Sequence, residues 1–464
     1  MKEQIRAKFE AYWDEMMADL AALVAVNSVR GEETTEFPFG KEPARALSIA
    51  LRQGERMGFA VENVDNYAGT IDLGDAKEMI GVMAHLDIVP AGDGWTDDPF
   101  TLTFKNDRIY GRGVVDDKGP VIAALYGMRI IRDLNLPLKK KIRLIVGTNE
   151  EQGSGCMKYY AQHRPVPSCG FTPDAEYPLI HGEKGNFWTW LSFPAEETPI
   201  LEISGGNAFN IVPAECVVLL DGSQVSADEL KKSIRTEDTE GYEPQFIHDT
   251  KGNIKMVVRG HAAHGSTPEK GVNAIVSAAK ILCNAFGEKA GKMMHFIAES
   301  IGRETDGASL GLKVSDDVSG SLSLNLGRII YSPEQHRLAI DIRYPVKLSL
   351  AEMDAIYRKM AEAFGLTYEV TEAAEPHYVP KDSPVVQKLL AVYRQVTGDQ
   401  TADAFTIGGG TYAKALGKNF VAFGPEFPGS EPMNVHDADE HILKELFLDH
   451  CVVCTLGMAA LAGE

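Results

Sequence analysis

Hydrophobic and polar positions alternate along this chain in two styles, and the style changes twice. Residues 4–26 carry apolar side chains at helical spacing, and Lys41–Met57 repeats the pattern up to Gly58. Met79–Ala84 (Met-Ile-Gly-Val-Met-Ala) is a short continuous apolar run, as a strand buried on both faces requires. Lys118–Leu134 reads as a helix with Gly119 and Pro120 in its first turn. Lys141–Gly147 is a second apolar run. The C-terminal part returns to this style, with a helix over Val385–Val396, a strand over Asn419–Phe423 and a closing helix over His441–Leu461. Strands alternating with helices predict an α/β fold: a mostly parallel sheet with helices on both faces.

Between about Gly185 and Glu375 the period shortens to two. Phe187–Phe193, Glu215–Leu220, Ile254–Arg259 and Leu338–Tyr344 alternate as half-buried strands, separated by helical stretches such as Val272–Phe286 and Leu350–Phe364. The expected organisation is a catalytic domain over residues 1–183 and 380–464, interrupted by an inserted α+β lid domain over residues 184–379. The insert is long enough for two similar halves, although no repeat shows by identity.

Composition removes several classes of function. Of 464 residues, 44% are hydrophobic and 24% charged, as in ordinary globular proteins. A formal net charge of -20 disfavours nucleic acid and anionic lipid as partners. Neither a secretory leader nor a membrane span is expected from the N-terminal segment, where Leu20–Val26 is too short to cross a bilayer. The six cysteines have no framework spacing, and Cys451 and Cys454 fall in an apolar helical run. Free thiols in a reducing, cytoplasmic setting are the expectation.

The chemistry gathers at the ends of the predicted strands. Met83-Ala84-His85-Leu86-Asp87 leaves the first, Thr148-Asn149-Glu150-Glu151 the second, and Thr172-Pro173-Asp174 follows Cys169-Gly170-Phe171. In an open parallel sheet these ends share one edge, where ligands bind. Gly111-Arg112-Gly113-Val114-Val115-Asp116-Asp117-Lys118-Gly119 brings two carboxylates to a helix start, and Asn434-Val435-His436-Asp437 precedes the last helix. Each segment alone has an ordinary explanation, in helix capping, a turn or a solvated acidic face. Together their imidazoles and carboxylates suit one or two divalent ions of the zinc, manganese or cobalt type. Within the insert, His264 lies in a polar turn (Ala263-His264-Gly265) and Arg343 ends a strand in Asp341-Ile342-Arg343-Tyr344-Pro345. A guanidinium there could clamp a carboxylate through two parallel hydrogen bonds.

These segments resemble the co-catalytic zinc metallopeptidases that include aminoacylase, carnosinase and PepV-type dipeptidases. The likeness rests on His85-x-Asp87, Gly111-Arg112-Gly113-x-x-Asp116-x-Lys118-Gly119, Glu150-Glu151, Asp174, Ala263-His264-Gly265 and His436, in the family's order. The long insert and the Asp341–Pro345 segment favour the PepV-type branch. The resemblance implies two divalent ions, zinc first, with manganese or cobalt as alternatives. His85 and Asp174 would hold one, Glu151 and His436 the other, and Asp116 both. It implies Glu150 as general base, Asp87 as the group orienting His85, and His264 as oxyanion stabiliser. Asn207, Arg343 and the Gly409–Gly410 backbone would bind the substrate. The implied activity is hydrolysis of unblocked dipeptides, β-alanyl or Xaa-His dipeptides included, by a functional monomer acting on a small peptide. The alternative within the family is a deacylase or desuccinylase of N-acyl substrates.

Overall fold

The computed structural model describes residues 1–463 and divides into two compact units. Among the described residues the first comprises 1–182, 378–405 and 410–463; the second comprises 183–377 and 406–409.

The first unit is built on a mixed sheet whose central strands are parallel. In spatial order its strands are Ala60–Val64, Ala68–Leu73, Lys141–Gly147, Met79–His85, Cys169–Thr172, Phe420–Ala422 and Ile180–Glu183. The run from Lys141–Gly147 to Phe420–Ala422 is parallel throughout, and antiparallel neighbours flank it on both sides. Helices cover both faces, and alternate residues of the same strands record it. Val82, Ala84, Leu144 and Val146 join the core formed with helices Lys118–Asp133 and Lys444–Ala462. Met83 and Ile145 point the other way, into a smaller cluster with Cys156, Tyr160 and Tyr412. Burial on both faces is why Met79–His85 has no polar alternation. Gly147 lets that second layer close, because a Cβ there would fall 1.9 Å from the Tyr412 hydroxyl.

Three helix boundaries differ from the hydrophobic pattern, two of them through backbone pairing with distant segments. Residues 4–26 form two helices, Lys2–Ala11 and Trp13–Val24, interrupted at Tyr12. The Tyr12 hydroxyl donates to Asp133 at 2.6 Å, and its ring lies under Arg129. In the second unit, Val272 is extended because it exchanges two backbone hydrogen bonds with His261, so the helix begins at Ala274 under an Asn273 cap. At the C-terminus, His441–Leu443 pairs with Arg108–Tyr110 before the helix starts at Lys444. That final helix is apolar and long enough to cross a membrane, yet its side chains from Phe447 to Ala462 are largely consumed by core packing.

The second unit is antiparallel. Its eight strands run, in spatial order, Gln245–His248, Ile254–Arg259, Glu215–Leu220, Ile200–Gly205, Ser323–Tyr331, His336–Tyr344, Gly185–Ser192 and Thr367–Ala374. One face packs on helices Ala274–Phe286 and Leu350–Phe364 through Phe187, Leu191, Val218, Ile340 and Ile342. The other face carries the alternating partners of these residues, Trp188, Trp190, Asp341 and Arg343.

Candidate metal centre

Three parallel strands deliver their C-terminal ends to one edge of the first unit. His85 is the last residue of its strand, Thr148–Glu151 follow the next, and Asp174 follows Cys169–Thr172. Two loops complete the group. Gly111–Asp117 leads into helix Lys118–Asp133, and the segment before His441 carries His436 with a positive φ of 64°. Asp116 and Asp117 are joined by a cis peptide bond.

The donor atoms of these five segments converge. His85 Nε2 lies 2.8 Å from Asp116 Oδ1 and 3.6 Å from Asp174 Oδ2. His436 Nε2 lies 2.8 Å from Asp116 Oδ2 and 3.4 Å from Glu151 Oε2. Asp116 therefore stands between the two imidazoles, one oxygen toward each. Two sets have ligand atoms within 4.8 Å of one another, His85 with Asp116 and Glu151, and His85 with Asp117 and Asp174.

The surroundings hold these groups rigidly. The Asp87 carboxylate accepts the backbone N–H groups of Glu150 and Glu151 at 3.0 and 3.1 Å, fixing the turn that bears both glutamates. Its relation to His85 is less direct than the sequence suggests. His85 Nδ1 is 2.9 Å from the Asp87 main-chain oxygen, while the carboxylate is 3.5 Å away. Asp117 also accepts the His85 N–H at 2.9 Å. Glu440, wholly buried, accepts the N–H groups of Gly113, Val115 and Asp116 and pairs with Arg112 at 2.9 Å. Arg112 in turn donates to the Asp437 carbonyl at 3.1 Å. One buried ion pair thus ties the Asp116 loop to the His436 loop. The sequence places Asp117 at a helix start, but a carboxylate four residues after His436, as Glu440 is, has no local sequence signal for this role.

Electrostatics favour a cation at this edge. Six carboxylates (Asp87, Asp116, Asp117, Glu150, Glu151, Asp174) face two imidazoles. Burial, with the charges of Asp174, Asp87 and Glu151, raises the Glu150 pKa well above the usual carboxylate range. Burial and Asp116 raise Asp174 as well. Hydrogen bonding to Asp116 and Glu151 lifts His436 to about 10. Burial opposes protonation of His85, but Asp116, Asp174 and Asp87 raise it well above its ordinary value. Crowded anions that draw protons onto neighbouring imidazoles form a site that a divalent ion would neutralise. The contacts agree: Asp117 Oδ1 and Glu151 Oε1 are buried and have no hydrogen-bond partner, and His85 Nε2 and Asp116 Oδ1, also buried, face each other at 2.8 Å. Imidazoles and carboxylates crowded around one place are the groups that ligate a metal, and the donor set is all nitrogen and oxygen. The residues fit a metal centre.

The remaining candidate residues lie elsewhere. In the second unit, Arg343 pairs with Asp341 at 2.8 Å and donates to the Gly408 carbonyl at 3.3 Å. His264 Nδ1 is 2.7 Å from the Ser266 hydroxyl. Asn207 is exposed just beyond strand Ile200–Gly205. The glycine run is divided, Gly409 belonging to the second unit and Gly410 to the first. Cys451 and Cys454 are free thiols buried in the core, well accounted for by packing.

Comparison with known proteins extends this picture. Residues 81–462 match the model of peptidase family M20/M25/M40. The chain is 36% identical over 441 residues to the "Putative dipeptidase YtjP" of Bacillus subtilis (strain 168), covering 92% of this chain and 93% of that protein. A protein of the same designation, SH1171 of Staphylococcus haemolyticus (strain JCSC1435), is 34% identical over 451 residues, covering 95% of each. Among solved structures, human carnosine dipeptidase 1 is similar in fold, with a TM-score of 0.59 at 15% identity, covering 100% of this chain and 99% of that one. The dipeptidase Dug1p of Saccharomyces cerevisiae gives 0.57 at 13% identity, covering 100% and 99%.

Proposed function

Since the chain belongs to peptidase family M20/M25/M40, we propose that it is a metal-dependent dipeptidase that hydrolyses the amide bond of unblocked dipeptides. The observation that carries this reading is the convergence of nitrogen and oxygen donors from five distant segments around Asp116. His85 and Asp174 would hold one divalent ion, Glu151 and His436 a second, and Asp116 would bridge them; zinc suits the donors best, with manganese or cobalt as alternatives. Such ions supply Lewis acidity toward a carbonyl oxygen and lower the pKa of water.

The chain's own groups do the rest. Glu150 takes the proton of the attacking water and passes it to the leaving amine nitrogen. The backbone turn that bears it is held by the Asp87 carboxylate. We assign His264 to the oxyanion, and Asn207, Arg343 and the Gly409–Gly410 backbone to the rest of the substrate, with Arg343 taking the C-terminal carboxylate. The substrate range would include β-alanyl and Xaa-His dipeptides, and one chain would suffice for turnover. Six free thiols support a reducing, cytoplasmic setting.

The deciding experiment strips the enzyme with a chelator, restores zinc, manganese and cobalt separately, and assays free and N-acetylated dipeptides. Hydrolysis of the free dipeptides only after metal is restored is the expected result. Preference for the N-acetylated forms would identify a deacylase instead.

A further inference from the structure

Asp341 has no place in the chemistry above, yet it is among the most completely engaged carboxylates of the second unit. It lies two residues before Arg343 on strand His336–Tyr344, so both side chains share the face turned away from the helices. Its side chain is fully buried and that of Arg343 is 8% exposed. Arg343 Nε donates to Asp341 Oδ1 at 2.8 Å and Nη2 to Oδ2 at 3.2 Å. Trp188, directly opposite on the neighbouring strand, donates its indole N–H to Oδ1 at 2.8 Å. The turn carrying His264 rests on the same group: a Cβ on Gly265 would lie 2.7 Å from Asp341 Oδ2.

Counting donors shows what this achieves. A guanidinium has five N–H groups in a rigid plane. Asp341 takes the Nε–H and one on Nη2, and the Gly408 carbonyl takes one on Nη1 at 3.3 Å. One N–H remains on each terminal nitrogen. The N–H left on Nη2 points off the end of the plane, where with an N–H of Nη1 beside it a carboxylate is gripped end-on. The Trp188 ring, with its centroid 5.8 Å from the guanidinium carbon and Phe209 stacked on it at 5.2 Å, limits tilting of the plane. A buried ion pair stabilises little over an apolar pair of equal volume. Fixing the direction of the fork is what the arrangement provides.

We propose that Asp341 is the positioning residue that aims the Arg343 fork at the substrate's C-terminal carboxylate. This rests on the reading of Arg343 as the carboxylate clamp.

The test uses the full-length, metal-loaded enzyme with a free dipeptide and its C-terminal amide. Asp341→Asn is expected to raise KM for the free dipeptide about tenfold, the effect of one charge-assisted hydrogen bond. kcat should stay within about threefold, and the preference for acid over amide in kcat/KM should fall by a similar tenfold factor. Trp188→Phe, which keeps the carboxylate but removes one of its bonds, should shift KM for the acid alone by about twofold to threefold. Should Asp341→Asn not fold, Trp188→Phe carries the test. Asp341→Asn in an Arg343→Ala background should add little. Equal losses on acid and amide, or a lowered melting temperature with the acid preference intact, would overturn the role of Asp341. Arg343→Ala with an undiminished acid preference would remove the clamp reading itself, whatever Asp341 does.

Discussion

The two units each carry a cluster of buried charge, and the clusters solve opposite problems. Around Asp341 and Arg343 the charges cancel, and Asp341 is fully engaged by protein donors. Around Asp116, carboxylates outnumber imidazoles, and buried oxygens of Asp117 and Glu151 have no hydrogen-bond partner. A buried charge left unpaired costs several kcal/mol, so the second arrangement persists only where something else compensates. The lesson is that satisfaction distinguishes scaffolding from binding: the neutral cluster aims a side chain, and the uncompensated one receives a cation.

Removing that cation is the largest way to break the comparison. Chelation should abolish hydrolysis and, if the ions were present at a hundred times their Kd, lower stability by about 2.7 kcal/mol per ion. Activity assay and calorimetry before and after metal restoration check both. Next in size is Glu150→Gln, expected to reduce kcat by about 10²–10⁴-fold while metal content by mass spectrometry stays unchanged. Retained turnover would exclude Glu150 as the base.

Smaller effects sharpen the contrast. Glu440→Gln leaves Arg112 buried without its counter-charge and loosens the loops that present Asp116 and His436. A loss of about 10–100-fold in metal affinity is expected, measured by competition with a chromophoric chelator. Unaltered affinity would mean that those loops hold themselves. Cys454→Ala should be the mildest change, costing about 1 kcal/mol in a thermal melt with turnover and metal content intact. Metal loss in that variant would contradict the core assignment of the Cys451–Cys454 pair.

Much of this was legible from the chain alone, for physical reasons. Strands buried on both faces must be continuously apolar, so Met79–His85 and Lys141–Gly147 declared themselves, and parallel strands put His85, Glu151 and Asp174 on one edge. Alternation likewise announced the antiparallel strands of the second unit, because one face packs on helices through apolar side chains and the other carries Trp188, Trp190, Asp341 and Arg343. What only the tertiary structure decided are the terms that depend on long-range partners. Val272 stays extended because of His261, and His441–Leu443 is recruited by Arg108–Tyr110. Glu440 supports Asp116 across more than three hundred residues. Local pattern encodes which face of an element is apolar; it carries no record of which distant backbone N–H a buried carboxylate will find, and that search is settled only by the packed fold.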